Sequence, residues 1–141
     1  MKIVEWSIVT QRLNYSTGLY RVRKGKIVDN CLFCRIIGGE IPAKKVFEDD
    51  QLVVIEDISP VAPLHLLIIP RKHLVNALDL EPADDALIGH VYRTAARIAR
   101  EKGVAESGFR MVTNNNAGAG QSVFHIHFHL LGGRQLGWPP G

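Results

Sequence analysis

Three of the six histidines in the sequence lie in one five-residue window, as His125, His127 and His129. Imidazole is both nucleophilic and neutral near pH 7, and it also binds transition metals. If the window is a β-strand, alternate side chains share a face and the three rings lie about 6 to 7 Å apart along it. Burying three imidazoles without a task would carry a desolvation cost. The window therefore predicts a catalytic strand or a metal-binding one.

The loop that precedes these histidines, residues 114–122, is rich in amide side chains and glycine and ends in a serine. Flexible glycines such as Gly118 and Gly120 allow backbone N–H groups to point at an anion. An Asn/Gly-rich loop is by itself a weak signal, because most such loops are simple turns. Its position directly before three histidines predicts an anion pocket beside a nucleophile.

The only two cysteines, Cys31 and Cys34, form a single C-x-x-C motif. In a reducing compartment this spacing indicates half of a metal site or a redox pair rather than a structural disulfide. The motif alone does not decide between these alternatives.

One long helix is predicted over residues 82–102. Leu87, Val91 and Ile98 recur there at helical spacing. Acidic residues in its first turn and basic residues near its end complement the helix dipole. Gly103 lies where a residue following a helix C-terminus is typically glycine. The helix should therefore pack one apolar stripe against the rest of the domain.

The remaining regular structure is predicted to be strands, because short apolar stretches are bounded by turn residues. Strands gathered around one long helix favour the α+β class, with a five-stranded, mostly antiparallel sheet. The predicted strands cover residues 46–48, 52–57, 64–69, 109–114 and 124–131. A short helical turn is expected over residues 31–37.

The composition fits one compact domain: 141 residues, 46% hydrophobic and 22% charged. No apolar run approaches the roughly 18 to 20 residues that span a bilayer, and no signal-peptide pattern is present, so a cytoplasmic protein is expected. The net charge of +3 comes from residues 1–30, which carry +4 and leave −1 for the rest. Nucleic-acid binding by the folded part is therefore not expected. We divide the chain into a basic arm, residues 1–30, in which residues 3–9 could form a strand, and a domain, residues 31–141.

Residues 31–141 resemble the histidine triad family, whose signature is His-x-His-x-His followed by apolar residues, and the Hint branch of that family in particular. The resemblance covers about four-fifths of the chain, with the motifs in the same order. They are IPAK at residues 41–44, FEDD at 47–50, DISP at 57–60, HIHFHLL at 125–131 and LGGRQLGWPPG at 131–141.

The resemblance implies a reaction at phosphorus. The central histidine, His127, would attack the α-phosphorus of a nucleotide conjugate and form a covalent nucleotidyl-histidine, which water then hydrolyses. His129 and the loop N–H groups would contact the phosphate oxygens, and Ser122 would meet the leaving group. His65 matches a family histidine near the active site. The phosphate end of the site would also include Asn114, Gly120 and Gln121.

The nucleoside end of the site is likewise implied by the resemblance. Asp57 would accept hydrogen bonds from the ribose hydroxyls, since a carboxylate suits a vicinal diol. An apolar pocket grips the faces of a purine but reads its edge poorly, so we expect loose discrimination between adenosine and guanosine. At residue 55 some relatives carry an aromatic side chain. The residues that match the family's base pocket are Leu32, Phe33, Ile36, Ile55 and Ile58.

Some bacterial relatives complete the C-x-x-C motif with two histidines, which correspond here to His73 and His125. Together with Cys31 and Cys34 they would form the closed tetrahedral set of a structural zinc site. The alternative is a pair of reduced, partly buried thiols, because several relatives lack one cysteine. No organic cofactor is expected.

Three hypotheses about the function remain open. The first is a hydrolase of purine nucleoside phosphoramidates, with AMP or GMP conjugates as substrates. The second is a dinucleoside polyphosphate hydrolase of a related branch. The third is a non-catalytic adaptor that binds a nucleotide or zinc. The resemblance also implies a homodimer whose sheet continues across a two-fold axis, with no membrane partner.

Overall fold

The computed structural model describes Val28 and residues 30–141, so the strand expected over residues 3–9 and most of the basic arm lie outside the described residues. In the described part the chain forms one five-stranded sheet with one long helix, which confirms the predicted α+β class. The elements are α1 (Leu32–Ile37), β1 (Lys45–Glu48), β2 (Leu52–Glu56), β3 (Leu64–Pro70), α2 (Asp85–Glu101), β4 (Phe109–Val112) and β5 (Phe128–Gly132). Short 3₁₀ turns cover Ala77–Asp79, Pro82–Asp84 and Ala117–Ala119.

The sheet has the strand order β1-β2-β3-β5-β4, and every neighbouring pair is antiparallel. β3 and β5 are therefore interior strands, while β1 and β4 form the edges. In the register between β3 and β5, Leu67 is opposite His129 and His65 is opposite Leu131. This register brings two histidines that are distant in sequence onto neighbouring strands.

Both faces of the sheet are buried, because side chains on β2 and β3 alternate between two apolar cores. One core, the α2 core, packs the sheet against helix α2; the other, the α1 core, packs it against helix α1. The α2 core takes Leu52, Val54, Leu66 and Ile68 from these strands, and the α1 core takes Val53, Ile55, Leu67 and Ile69. Since His65 has the parity of Leu67, it lies on the α1 side of the sheet.

Helix α2 starts later than predicted, because residues 82–84 form a 3₁₀ turn before it. The Asp84 carboxylate accepts the Glu81 N–H at 3.0 Å, which satisfies one donor at this end. The apolar stripe predicted from the sequence is buried in the α2 core. Gly103 follows the helix with φ of 74°, a conformation that favours glycine. No helix in the described part is both long enough and apolar enough to cross a bilayer.

Candidate active site and metal cluster

The three histidines do not lie on one strand, because β5 begins at Phe128 rather than at residue 124 as the sequence predicted. His125 and His127 precede the strand, and only His129 is part of it. The alternation of sides nevertheless persists, since Ile126 and Phe128 pack in the α2 core. The rings of His125 and His127 instead meet the ring of Phe33 in α1 edge-on, at centroid distances of 6.0 and 4.9 Å.

The ladder does not extend upstream of Phe128, because groups that would continue it have other partners. The Pro70 carbonyl at the end of β3 accepts a hydrogen bond from His125 Nε2 at 2.7 Å, and proline has no N–H to donate. The Thr113 hydroxyl donates to the His127 carbonyl at 3.0 Å. Side chains thus take positions that strand pairing would otherwise use.

The ring of His127 is held in one tautomer. Its Nδ1 lies 2.7 Å from the carbonyl oxygen of His125, and a carbonyl only accepts, so Nδ1 carries the proton. The neutral ring therefore has an unprotonated Nε2 with a free lone pair. Burial is the main cause that lowers the pKa of His127, which keeps the ring neutral at pH 7. This is the form of imidazole that acts as a nucleophile.

A chain of hydrogen bonds also sets the tautomer of His129. The Val61 N–H donates to His65 Nδ1 at 3.1 Å, so His65 carries its proton on Nε2. That Nε2 lies 2.8 Å from His129 Nδ1 and donates to it. His129 must then hold its own proton on Nε2, where it can be donated to a ligand. The ring centroids of His127 and His129 are 5.2 Å apart, so this donor lies beside the His127 ring.

Asp57 lies against the His65–His129 pair. Its Oδ2 is 3.3 Å from His65 Nε2, while its Oδ1 accepts the Ser59 N–H at 2.7 Å. Each carboxylate oxygen accepts about two hydrogen bonds, so capacity remains for further donors. The side chain is 16% exposed, which leaves one side open to a ligand. Its negative charge partly offsets the effect of burial on the pKa of His129.

The loop of residues 114–122 is braced by Gln121. Its side-chain amide donates to the Val75 carbonyl at 2.6 Å, and its Oε1 accepts the Asn116 N–H at 2.7 Å. The residue is only 4% exposed. The side chain that the sequence assigned to substrate is therefore occupied in holding the loop.

Ser122 is a residue of this loop whose polar groups remain open. The N–H groups of Gly120 and Gln121 donate to carbonyls inside the loop at 3.0 and 3.1 Å. Among Val28 and residues 30–141, neither the N–H nor the hydroxyl of Ser122 has a hydrogen-bond partner, and the residue is exposed. The Asn114 amide lies close to Gly120, whose φ of 90° favours glycine. These groups fit an anion site in which Ser122 supplies the donors.

The residues predicted to contact a base fall into two sets. Phe33, Ile36 and Ile55 are buried in the α1 core, at 4%, 6% and 4% exposure. Leu32 is 44% exposed and Ile58 is 99% exposed. Buried side chains have little surface to offer a ligand, so the exposed pair is the accessible part of the predicted pocket.

A buried cluster is formed by Cys31, Cys34, His73 and His125, whose potential ligand atoms all lie within 4.8 Å of one another. Cys34 Sγ is 3.2 Å from His73 Nδ1 and 3.6 Å from His125 Nδ1. Cys31 Sγ is 3.5 Å from His125 Nδ1, and the two Nδ1 atoms are 3.1 Å apart. The structure thus brings together the four residues that the sequence predicted as metal ligands.

The donor set and its spacing fit a tetrahedral zinc ion. Zn–S bonds of about 2.3 Å and Zn–N bonds of about 2.0 to 2.1 Å imply ligand–ligand distances of roughly 3.3 to 3.8 Å. His125 donates its Nε2–H to the Pro70 carbonyl, which leaves Nδ1 for a metal, as is typical of zinc-bound histidine. The hydrogen bond from Cys34, with weaker ones from His125 and His73, lowers the pKa of the Cys31 thiol, while the same bond and burial raise the pKa of Cys34, so Cys31 is the thiolate of the pair. A thiolate is the form of cysteine that binds zinc.

Sequence reasoning missed several groups that hold the histidines in place. Val61 and Pro70 act through backbone atoms, for which residue type carries no signal. Arg134 donates to the Val61 carbonyl at 2.9 Å and so helps to hold the residue whose N–H orients His65. Thr113 is the exception, because it has a polar side chain and directly precedes the predicted site residue Asn114, so its hydroxyl could have been predicted to take part.

The low pKa of His129 predicts a specific dependence of stability on pH. Burial, then the nearby rings of His127 and His65, lower this pKa from 6.5 to about 4. Below pH 6.5 the unfolded chain binds the proton more readily than the folded one. The free energy of unfolding should therefore lose a contribution as the pH falls from 6.5 to 4, and urea denaturation across this range measures it. His129→Phe should show a weaker dependence on pH, and an identical dependence in the two proteins would contradict the assignment.

Comparison with known proteins agrees with this architecture. A family model described as HIT domain matches residues 38–136. An uncharacterized HIT-like protein of Synechocystis is 44% identical over 115 residues, covering 82% of this chain and 100% of its own. The chain therefore belongs to the HIT domain family.

Solved structures show the same fold. A HIT family hydrolase from Legionella pneumophila Philadelphia 1 is 52% identical, with a TM-score of 0.78 over 79% of this chain and 100% of that chain. A HIT family hydrolase from Clostridium thermocellum is 41% identical, with a TM-score of 0.75 over 77% of this chain and 95% of that chain. The antiparallel sheet and long helix described above are thus those of a family that includes hydrolases.

Proposed function

We propose that this chain hydrolyses purine nucleoside phosphoramidates, with AMP or GMP conjugates as substrates and a covalent nucleotidyl-His127 intermediate. One observation carries the proposal. The hydrogen bond from His127 Nδ1 to the His125 carbonyl leaves a free lone pair on Nε2, and His129 presents an Nε2–H donor beside it. A nucleophile next to a fixed donor is suited to attack at a phosphorus whose oxygens gain negative charge.

The reaction would proceed in two displacements. First, His127 Nε2 forms a bond to the α-phosphorus, and the P–N bond to the leaving amine breaks. The amine gains a proton from solvent, with the Ser122 hydroxyl hydrogen-bonded to it. The charge of the resulting imidazolium is held by the His125 carbonyl at Nδ1. Water then attacks phosphorus, releases AMP or GMP and a proton, and returns the lone pair to Nε2.

The remaining proposed contacts bind the nucleotide. The His129 Nε2–H and the Ser122 N–H would donate to the phosphate oxygens, with the Asn114 amide at the same end. Asp57 would accept from ribose hydroxyls with the capacity that the Ser59 N–H leaves free. The exposed side chains that would contact the purine, Leu32 and Ile58, are aliphatic, so we expect adenosine and guanosine substrates to be turned over at similar rates.

The experiment that tests this function is the release of AMP from an adenosine phosphoramidate by the purified chain. Diadenosine polyphosphate is offered in parallel at the same concentration. AMP release from the phosphoramidate at a higher kcat/KM supports the proposal and the Hint-type specificity. Faster cleavage of the polyphosphate would move the chain to that branch of hydrolases. Nucleotide binding without turnover of either substrate would favour an adaptor.

We also propose that Cys31, Cys34, His73 and His125 hold a structural zinc ion. Such an ion would tie α1 to the segment that carries the histidines; because four protein ligands close the site, it would have no open position for a substrate. We expect about one zinc per chain in protein purified without chelator, measured by elemental analysis. Removal with a strong chelator should lower the thermal unfolding midpoint, and His73→Ala should abolish this response. Zinc-free protein that unfolds at the same temperature would contradict the proposal.

A further proposal is that the chain is a homodimer whose sheet continues across a two-fold axis. β4 is an edge strand paired only with β5, and such an edge offers unpaired N–H and C=O groups. Phe109 on β4 is 38% exposed, and Tyr92, which is 54% exposed, meets Phe128 of the neighbouring strand with ring centroids 6.4 Å apart. Light scattering should give a mass about twice the 15.7 kDa of the chain. A mass of one chain at micromolar concentration would contradict the dimer.

We assign this activity to residues 31–141 and leave the basic arm, residues 1–30, without a role. Expression of residues 31–141 alone should then retain the hydrolase activity. The cytoplasm is the proposed compartment, because both cysteines are free and the proposed zinc site needs them reduced.

A further inference from the structure

The atom that sets the tautomer of His127 belongs to a residue that the sheet does not hold. The His125 carbonyl accepts the His127 Nδ1–H, yet β5 begins only at Phe128. No strand pairing fixes the backbone of His125 within the described part of the chain. Something other than the sheet must keep this carbonyl in place.

The side chain of His125 is instead held on two sides. Its Nε2 donates to the Pro70 carbonyl at 2.7 Å, and its Nδ1 faces the sulfur atoms of Cys31 and Cys34. Its ring is fully buried. The buried cluster therefore anchors the residue whose carbonyl orients the nucleophilic ring.

The segment that supplies His73 also reaches the catalytic segment. Leu74, the next residue, accepts the Ile126 N–H at 2.7 Å. His73 Nδ1 lies 3.1 Å from His125 Nδ1. The segment of His73 and Leu74 thus holds residues 125 and 126 in place through one side-chain contact and one backbone hydrogen bond.

Helix α1 connects the cluster to the other side of the nucleophile. Cys31 caps this helix and Cys34 lies within it, while Phe33 between them meets the His127 ring edge-on at 4.9 Å. A shift of α1 would therefore move the ring that packs on His127 as well as the ligands of the cluster.

We infer that Cys31, Cys34 and His73 are positioning residues for the nucleophile, and not only stabilisers of the fold. The cluster acts on His127 through the His125 carbonyl, which selects the tautomer, and through Phe33, which limits the ring's rotation. The inference rests on the proposed function for its kinetic consequence. Its structural consequence, the tautomer of His127, holds whether or not the substrate is a phosphoramidate.

The first test compares His73→Ala with His73→Cys, which replaces one zinc-binding side chain by another. Residues that orient a functional group through a neighbouring side chain typically contribute about 10- to 100-fold to activity. We therefore expect the kcat of His73→Ala to fall by that factor, with KM little changed. His73→Cys should recover most of kcat. Cys34→Ala provides a second break of the cluster if His73→Ala does not fold.

A matched core variant separates positioning from stability. Ile98→Ala removes a buried side chain of α2 in the other core, so it destabilises the fold without touching the cluster. At a temperature where both variants remain folded, Ile98→Ala should keep the wild-type kcat. If kcat falls equally in His73→Ala and Ile98→Ala, the cluster only stabilises the fold and the inference is overturned.

The ¹⁵N chemical shifts of the His127 ring give a readout that needs no substrate. In wild-type protein Nδ1 should carry the proton and Nε2 should not. His73→Ala should show exchange with the opposite tautomer, because the His125 carbonyl no longer stays in place, while Ile98→Ala should match wild type. An unchanged tautomer in His73→Ala would overturn the inference. If wild type hydrolyses no phosphoramidate but the tautomer changes as described, the proposed function fails and the positioning role stands.

Discussion

Replacing His127 with glutamine should reduce the hydrolysis of an adenosine phosphoramidate by roughly 10⁴- to 10⁶-fold, the loss typical when the nucleophile of a covalent hydrolase is removed. Glutamine fills much of the same volume, and its amide can still donate to the His125 carbonyl, so the segment should keep its position. It has no nucleophilic lone pair equivalent to Nε2. The measurement is AMP release under saturating substrate, together with the mass of protein quenched during turnover. Wild type should carry one nucleotidyl group, and the variant should carry none.

A histidine outside the site provides the matched control for this substitution. His90 lies on α2, where its Nε2 is 2.7 Å from Asp49 Oδ2. His90→Gln makes the same chemical change on the opposite side of the sheet and should leave kcat close to wild type. Comparable activity in His127→Gln and His90→Gln would remove His127 from the mechanism, and a nucleotidyl group found on another residue would identify the true nucleophile.

Replacing His129 with phenylalanine should lower kcat by about 10²- to 10³-fold, which is the usual loss for one donor to a developing oxyanion. The ring is retained, but its Nε2–H is lost. This donor is most effective in the transition state, where charge on the phosphate oxygens is greatest, so KM should change far less than kcat. Steady-state kinetics on the same phosphoramidate measure both constants.

His65→Leu tests whether the tautomer of His129 matters. This change leaves His129 in place but removes the group that donates to its Nδ1. The His129 proton can then occupy either nitrogen, so we expect a smaller loss of kcat than in His129→Phe. An increase in KM with unchanged kcat in His129→Phe would show that this ring binds the ground state and does not stabilise the transition state.

The segment that carries the three histidines shows how much a sequence pattern can predict. The alternation of side chains expected of a strand holds across this segment, since Ile126 and Phe128 pack in the α2 core and the histidines do not. It failed on the start of β5, because the pattern cannot reveal that the Pro70 carbonyl is taken by a histidine ring. Pairing partners are a property of the neighbouring strand, and the local sequence does not encode them.

Among the site residues, too, some properties could be predicted from the sequence and others could not. Residue types and spacing were sufficient to single out Cys31, Cys34 and the histidine window as groups with chemistry, whereas His73 as a metal ligand and His127 as the nucleophile came from the resemblance to the histidine triad family. The bracing role of Gln121 and the exposure of Ile58 could not be read from them. Both depend on which backbone groups and which solvent surround a side chain after folding.

The sequence by itself determined the fold class, the alternation of side chains between two faces of the sheet, and the cysteine pair and histidine window as groups with chemistry. These follow from periodicity and from the chemistry of single residue types, which are local properties. Only the tertiary structure decided which nitrogen carries the proton in His65, His127 and His129, and that contacts to a buried cluster, rather than strand pairing, hold the backbone beside His127. Both depend on hydrogen bonds between residues far apart in the chain, such as His73 with His125 and His65 with His129, and distances of this kind exist only once the chain has folded.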